Sequence, residues 1–221
     1  MEFIRTLIDI FIHLDEYLSE IILRFGGWTY LILFLVIFAE TGLVVTPFLP
    51  GDSLLFAIGA FAARGDLHVW WMVGILFIAA VIGDSVNYAA GNYIGPRVFT
   101  GSVRFLKKEH LEKTQAFYEK HGGKTIILAR FIPIIRTFAP FVAGVGSMSY
   151  GRFIAFNVIG AATWVPLFIF LGYFFGNLPF VEKHFEYVIL AIIFISILPA
   201  LYEYFKEKRA QPRAPQADAQ P

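Results

Sequence analysis

The sequence predicts an all-α polytopic membrane protein, and three observations predict it. Of its 221 residues, 57% are hydrophobic and 16% charged, with a mean hydropathy of +0.66. A soluble domain of this length has too little interior to hide that much apolar surface. Three apolar runs, at about 69–95, 151–177 and 185–204, reach the ~20 residues that a helix needs to cross ~30 Å of hydrocarbon. Two further apolar stretches, 28–63 and 125–148, are broken by prolines and carry charges, so neither reads as a plain spanning helix.

Residues 1–26 are amphipathic. Phe3, Ile4, Leu7, Ile8, Phe11, Leu14, Leu18, Ile21 and Ile22 follow helical spacing, with Glu2, Asp9, His13, Glu16 and Glu20 opposite. That pattern suits a helix lying at a membrane surface. It lacks the basic start and small-residue cleavage site of a signal peptide.

The stretch 28–63 is interrupted at Pro47-Phe48-Leu49-Pro50-Gly51-Asp52, and 125–148 at Pro133 and Pro140. Irregular backbone at membrane depth is tolerated only inside protein or beside a wet cavity. Each stretch is therefore expected to be a re-entrant hairpin, with Pro50, Gly51, Pro133 and Pro140 setting its shape. Pro50 and Gly51 would end one half-helix, and Asp52 or Ser53 would cap the next. The N-terminal dipole of that helix would then face the membrane interior.

The runs 69–95 and 151–177 each follow a hairpin, which makes the whole an inverted repeat. Aligning Ala39-Glu40 with Ala129-Arg130 also pairs Phe48 with Phe138 and Pro50 with Pro140. Gly91-Asn92-Tyr93-Ile94-Gly95 resembles Gly172-Tyr173-Phe174-Phe175-Gly176. Between the halves, 96–124 carries Arg97, Arg104, Lys107, Lys108, Lys113, Lys120 and Lys124. The positive-inside rule places this link, and the basic end of the 185–204 helix, on the cytoplasmic side. Residues 207–221 are polar and proline-rich, which predicts a disordered cytoplasmic tail.

The informative residues are charges inside apolar text. Glu40 and Asp52 lie in the first broken stretch, Arg130 and Arg136 in the second, and Asp84 and Asn87 in the first long span. One unpaired charge at the bilayer centre costs about +2.5 to +3.5 kcal/mol on insertion scales. Acids from one hairpin and arginines from the other would neutralise each other across the midplane. One reading makes these ion pairs that only hold the hairpins together. The other makes them a site, because arginine forks onto phosphate and desolvated carboxylates exchange protons. Arg130 and Arg136 are then the phosphate or headgroup ligands, and Glu40, Asp52 and Asp84 the proton-coupling groups. Discontinuous helices build substrate sites of this kind in secondary transporters.

Other chemistries lack their residues. There is no cysteine, and His13, His68, His110, His121 and His184 are scattered without metal-ligand spacing. No phosphate-binding loop or nucleophile elbow occurs, so neither a metal site nor a cofactor is expected. A net charge of +1 argues against nucleic acid as a partner. A homo-oligomer is compatible with the sequence.

Glu40 with Phe48-Leu49-Pro50-Gly51-Asp52, followed by Ala129-Arg130-Phe131-Ile132-Pro133-Ile134-Ile135-Arg136 and Phe141-Val142-Ala143-Gly144-Val145-Gly146, resembles the bacterial DedA family. Its eukaryotic relatives share the VTT, or SNARE-associated, domain. The resemblance covers roughly 20–206 and implies a multi-pass protein of the bacterial inner membrane. It further implies envelope lipid homeostasis tied to the proton-motive force, with undecaprenyl phosphate or a phospholipid as the lipid moved. The family's two acids and two arginines correspond to Glu40, Asp52, Arg130 and Arg136, and Pro50, Gly51 and Pro133 match as shape-setting residues. The leading expectation is a non-enzymatic, proton-coupled lipid flippase. The rivals are a proton-driven small-solute or ion antiporter and an intramembrane lipid phosphatase, the last without an obvious nucleophile–base pair.

Overall fold

In the computed structural model, residues 14–43, 51–99, 122–146, 148–192, 194, 195 and 198 are described, 95–99, 133 and 134 by their backbone alone. They form helices and no strand. The helices are α1 (Leu14–Phe25), α2 (Thr29–Gly42), α3 (Gly51–Arg64), α4 (Val69–Phe99), α5 (Lys124–Ala129), α6 (Pro133–Val145), α7 (Tyr150–Phe175) and α8 (Pro179–Lys183). Three helical stretches are long and apolar enough to cross a membrane: Leu14–Gly42, Val69–Ile94 and Tyr150–Phe175.

The first of these is not one straight rod. Gly26 takes φ +50° and opens a 3-10 turn, Gly26–Trp28, between α1 and α2. The Thr29 hydroxyl donates to the Ile21 carbonyl at 3.3 Å. A straight helix would hold residues eight apart about 12 Å from one another, so the chain bends sharply here. α1 keeps the expected amphipathic pattern, burying Leu14 and Leu18 and exposing Glu16 and Glu20. Residues 1–13 of the expected surface helix lie outside the described residues, as do most of the basic link, Pro50 and the tail. The C-terminal run is helical from 185 to 192.

Two long helices, α4 and α7, frame the molecule and run antiparallel. Trp70 meets Phe170 edge-on at 5.5 Å near one end, and Asn157 donates to the Val81 carbonyl at 3.0 Å further along. The shorter helices enter from opposite ends of this pair. α2 starts beside the start of α4, where the His68 amide donates to the Tyr30 hydroxyl at 3.0 Å, and ends with Gly42 against Gly83. α5 starts beside the start of α7, with Gly123 against Phe156, and ends near Gly160.

The second helix of each broken stretch crosses over. α3 packs chiefly on α7, the long helix of the other half, and α6 packs chiefly on α4. Both contacts use glycine to bring backbones together. A Cβ on Gly172 would overlap the Phe56 carbonyl, and one on Gly59 would overlap that of Ile169. In the other half, Gly91 meets the Phe141 carbonyl and Gly144 that of Tyr88. The sequence likeness around Gly91 and Gly172 thus reflects one contact made twice. The register of these two helices differs from the sequence alignment: Phe56 corresponds to Phe141 and Gly59 to Gly144, rather than Pro50 to Pro140.

Pro133 opens α6, so the break in the second stretch falls at Arg130–Ile132. Pro140 departs from expectation. It is buried inside α6, which continues through it despite the missing N–H.

The outer faces are apolar. Ile78, Ile82 and Val86 line one exposed face of α4 at helical spacing, and Leu167, Leu171 and Phe174 line one of α7. Contiguous exposed apolar surface of this kind is rare on soluble monomers and suits lipid. The chain is a multi-pass membrane protein.

Candidate functional site

The four broken-segment helices end or begin at mid-height beside α4 and α7, and they bring ionisable side chains together there. Glu40 sits in the last turn of α2, Asp52 is the second residue of α3, Arg130 follows α5, and Arg136 is in the first turn of α6. All four are buried, as is Asp84 on α4, with Glu40, Asp84 and Arg130 each only 1% exposed. Helix ends supply these positions because a side chain at a terminus can reach past it, whereas one at mid-helix is held by its neighbours.

Arg136 is the centre of the first group. Its Nη1 donates to Asp52 Oδ1 at 2.9 Å and its Nη2 to Glu40 Oε1. One guanidinium thus holds both acids of the first broken segment, a use of its rigid fork that lysine cannot reproduce. Glu40 also accepts the Gly51 amide at 3.0 Å. That amide is one of the orphan donors at the start of α3. Glu40 of α2 thus caps the start of α3, where a cap by Asp52 or Ser53 was expected. Gly51 allows it, since a Cβ there would overlap the carboxylate. Two carboxylates at a helix N-terminus also suit its positive end.

Arg130 makes a second group. It donates through Nη2 to Asp84 Oδ2 at 2.5 Å and to the Asn157 amide oxygen. The sequence placed Arg130 opposite Glu40 and Asp52; the structure pairs it with the long-span acid. Among the described residues its Nε and Nη1 find no partner, nor does Nε of Arg136, although all three are buried; Glu40 Oε2 and Asp84 Oδ1 are likewise unpaired. Orphaned guanidinium donors in a closed interior are unusual, and they are what an oxyanion would satisfy.

Trp164 of α7 joins the two groups. It is fully buried, donates its indole N–H to Asp52 Oδ1 at 2.8 Å, and turns its ring to Arg136 at 4.8 Å and Arg130 at 5.9 Å. Asn87 closes the site from the α4 side by donating to the carbonyls of Thr41 at 3.2 Å and Thr137 at 2.8 Å. It binds backbone rather than the ionic groups.

The family model for the VTT domain matches residues 49–174, which contain every member of the cluster except Glu40. Protein DedA of Escherichia coli strain K12 is 54% identical over 217 residues, 97% of this chain and 99% of that one. The chain belongs to the DedA family. Within it, the inner membrane protein YghB of Salmonella typhimurium is 33% identical over 171 residues, 77% of each chain. The inner membrane protein YqjA of Escherichia coli K12 is 30% identical over 173 residues, 78% of this chain and 79% of that one. No solved structure matches.

For this DedA-family chain, the structure brings together Glu40, Asp52, Asp84, Arg130 and Arg136 and seats Gly51 against Glu40. Pro133 marks the break beside Arg130; Pro140 does not mark one. Sequence reasoning missed Trp164 and Asn157. The signal was present for both: a tryptophan at mid-span rather than at the interface, and an amide in an apolar span.

Proposed function

We propose that this protein carries a phosphate-bearing anionic lipid across the bacterial inner membrane, with protons as the coupling ion. Undecaprenyl phosphate is the first candidate and a phospholipid the second. The observation that carries the reading is Arg136, a fully buried fork shared between Glu40 and Asp52. Two oxygens of a tetrahedral phosphate can meet the guanidinium fork as the two oxygens of a carboxylate do, and would displace one of the acids. The released carboxylate, buried and short of a charged donor, is then the group through which transport would couple to a proton. Three buried carboxylates stand against two guanidiniums, one acid more than there are arginines in the cluster.

In this reading α2–α3 and α5–α6 each dip into the bilayer and return, and the C-terminus is cytoplasmic. Opposed entry of two broken segments is the arrangement that alternating access needs. The protein acts as a carrier and makes or breaks no bond. The test is flipping of a labelled polyprenyl phosphate or phospholipid in proteoliposomes. Arg136→Ala is expected to abolish flipping while the protein still accumulates; wild-type flipping by that variant would overturn the proposal.

A further inference from the structure

Trp164 lies between the two ionic groups and belongs to neither pair. Its indole N–H is a neutral donor on Asp52, and its ring is the common neighbour of both guanidiniums. The two ring distances also bound how far apart the arginines stand. Phe168, one turn further along α7, meets it edge-on at 6.5 Å, so the ring is braced as well as buried.

We propose that Trp164 is a positioning residue of the transport site. It keeps Asp52 satisfied, and its ring beside both guanidiniums, while Arg136 exchanges a carboxylate for the headgroup. This rests on the lipid-phosphate reading above. Arg136 cannot serve a headgroup through the nitrogens it now uses without loosening Asp52 or Glu40. A buried carboxylate that loses a charged donor is left short of partners, and the cost of that state slows the exchange. Trp164 lowers it, since its N–H stays on Asp52 when Arg136 moves. Its ring face does the same for the arginine by attracting a cation that has temporarily lost its anion.

Trp164→Phe keeps the ring face and deletes the donor; Trp164→Leu deletes both. The expected result in proteoliposomes is a loss of lipid-phosphate flipping of about tenfold for Trp164→Phe, the scale of one hydrogen bond to a charged group. Trp164→Leu is expected to lose more, with accumulation unchanged for Trp164→Phe. A residue that merely fills the core would leave Trp164→Phe near wild type, and that result overturns the proposal. Thermal midpoints in detergent for Trp164→Phe, Asp52→Ala and the double variant form a cycle independent of transport. The double shift is expected to be smaller than the two single shifts together; additive shifts overturn the coupling. If the wild type moves no phosphate-bearing lipid, the carrier reading falls, and the melting cycle still decides whether Trp164 and Asp52 act as a unit.

Discussion

The Gly51 amide donates to the Glu40 carboxylate at 3.0 Å, so the last turn of α2 caps the first turn of α3. The two arms do not otherwise pack chiefly on one another; each takes a long helix as its partner. Their tips are joined instead by this capping bond and by Arg136, which reaches Glu40 and Asp52 from α6.

Gly51→Ala is the direct test of that joint. Alanine is the better helix former, yet its Cβ would overlap the Glu40 carboxylate. The expected cost is about 1–3 kcal/mol, as for overpacking elsewhere. A lowered melting temperature in detergent, with reduced flipping, checks it.

Arg136→Lys separates phosphate binding from plain charge. Lysine keeps the positive charge but cannot grip Glu40 and Asp52 at once with a planar fork. Flipping of the lipid phosphate is expected to fall at least tenfold, while the protein accumulates. A small-solute or ion antiporter needs only the charge there and would keep its transport with lysine. Equal flipping by the two proteins would show that charge alone suffices there and would overturn the forked phosphate contact.

The Arg130–Asp84 pair carries a stability prediction. Removing one partner strands the other charge, at about 3–5 kcal/mol for buried pairs. Arg130→Met or Asp84→Leu alone is expected to lower the melting temperature strongly. The double variant is expected to melt closer to wild type than either single one, because two apolar side chains need no partner. Simple addition of the losses would show that the pair is not a unit.

The crossed packing of α3 on α7 and α6 on α4 predicts paired sensitivities. Gly172→Ala and Gly91→Ala each force a Cβ into a facing carbonyl, and each is expected to lose about 1–3 kcal/mol. Gly74 lies in α4 with nothing near its absent side chain. Gly74→Ala is expected to gain about 0.5–1 kcal/mol from helix propensity. Melting curves of the three variants provide the comparison.

Much of this was legible from residue order. Apolar run lengths give the long helices, and prolines with glycine flag the broken stretches, because hydrocarbon demands satisfied backbone wherever a helix stops. Glu40, Asp52, Asp84, Arg130 and Arg136 stand out because an unpaired charge in lipid is costly, so each announces a partner somewhere. The amphipathic face of α1 was visible too, whereas its sharp bend into α2 at Gly26 was not. Nor was the passage of α6 through Pro140, since a proline marks a tolerated kink and a true break with the same letter.

What the sequence determined by itself is the class of molecule and the cast of charges, since both follow from the transfer cost of each residue. The tertiary structure decided the partners: Arg136 with Glu40 and Asp52, Arg130 with Asp84 and Asn157, and Trp164 between them. Partner choice depends on which helix faces touch and in what register. Those are set by packing glycines against carbonyls across the two halves, and a local reading of apolar text carries no such information.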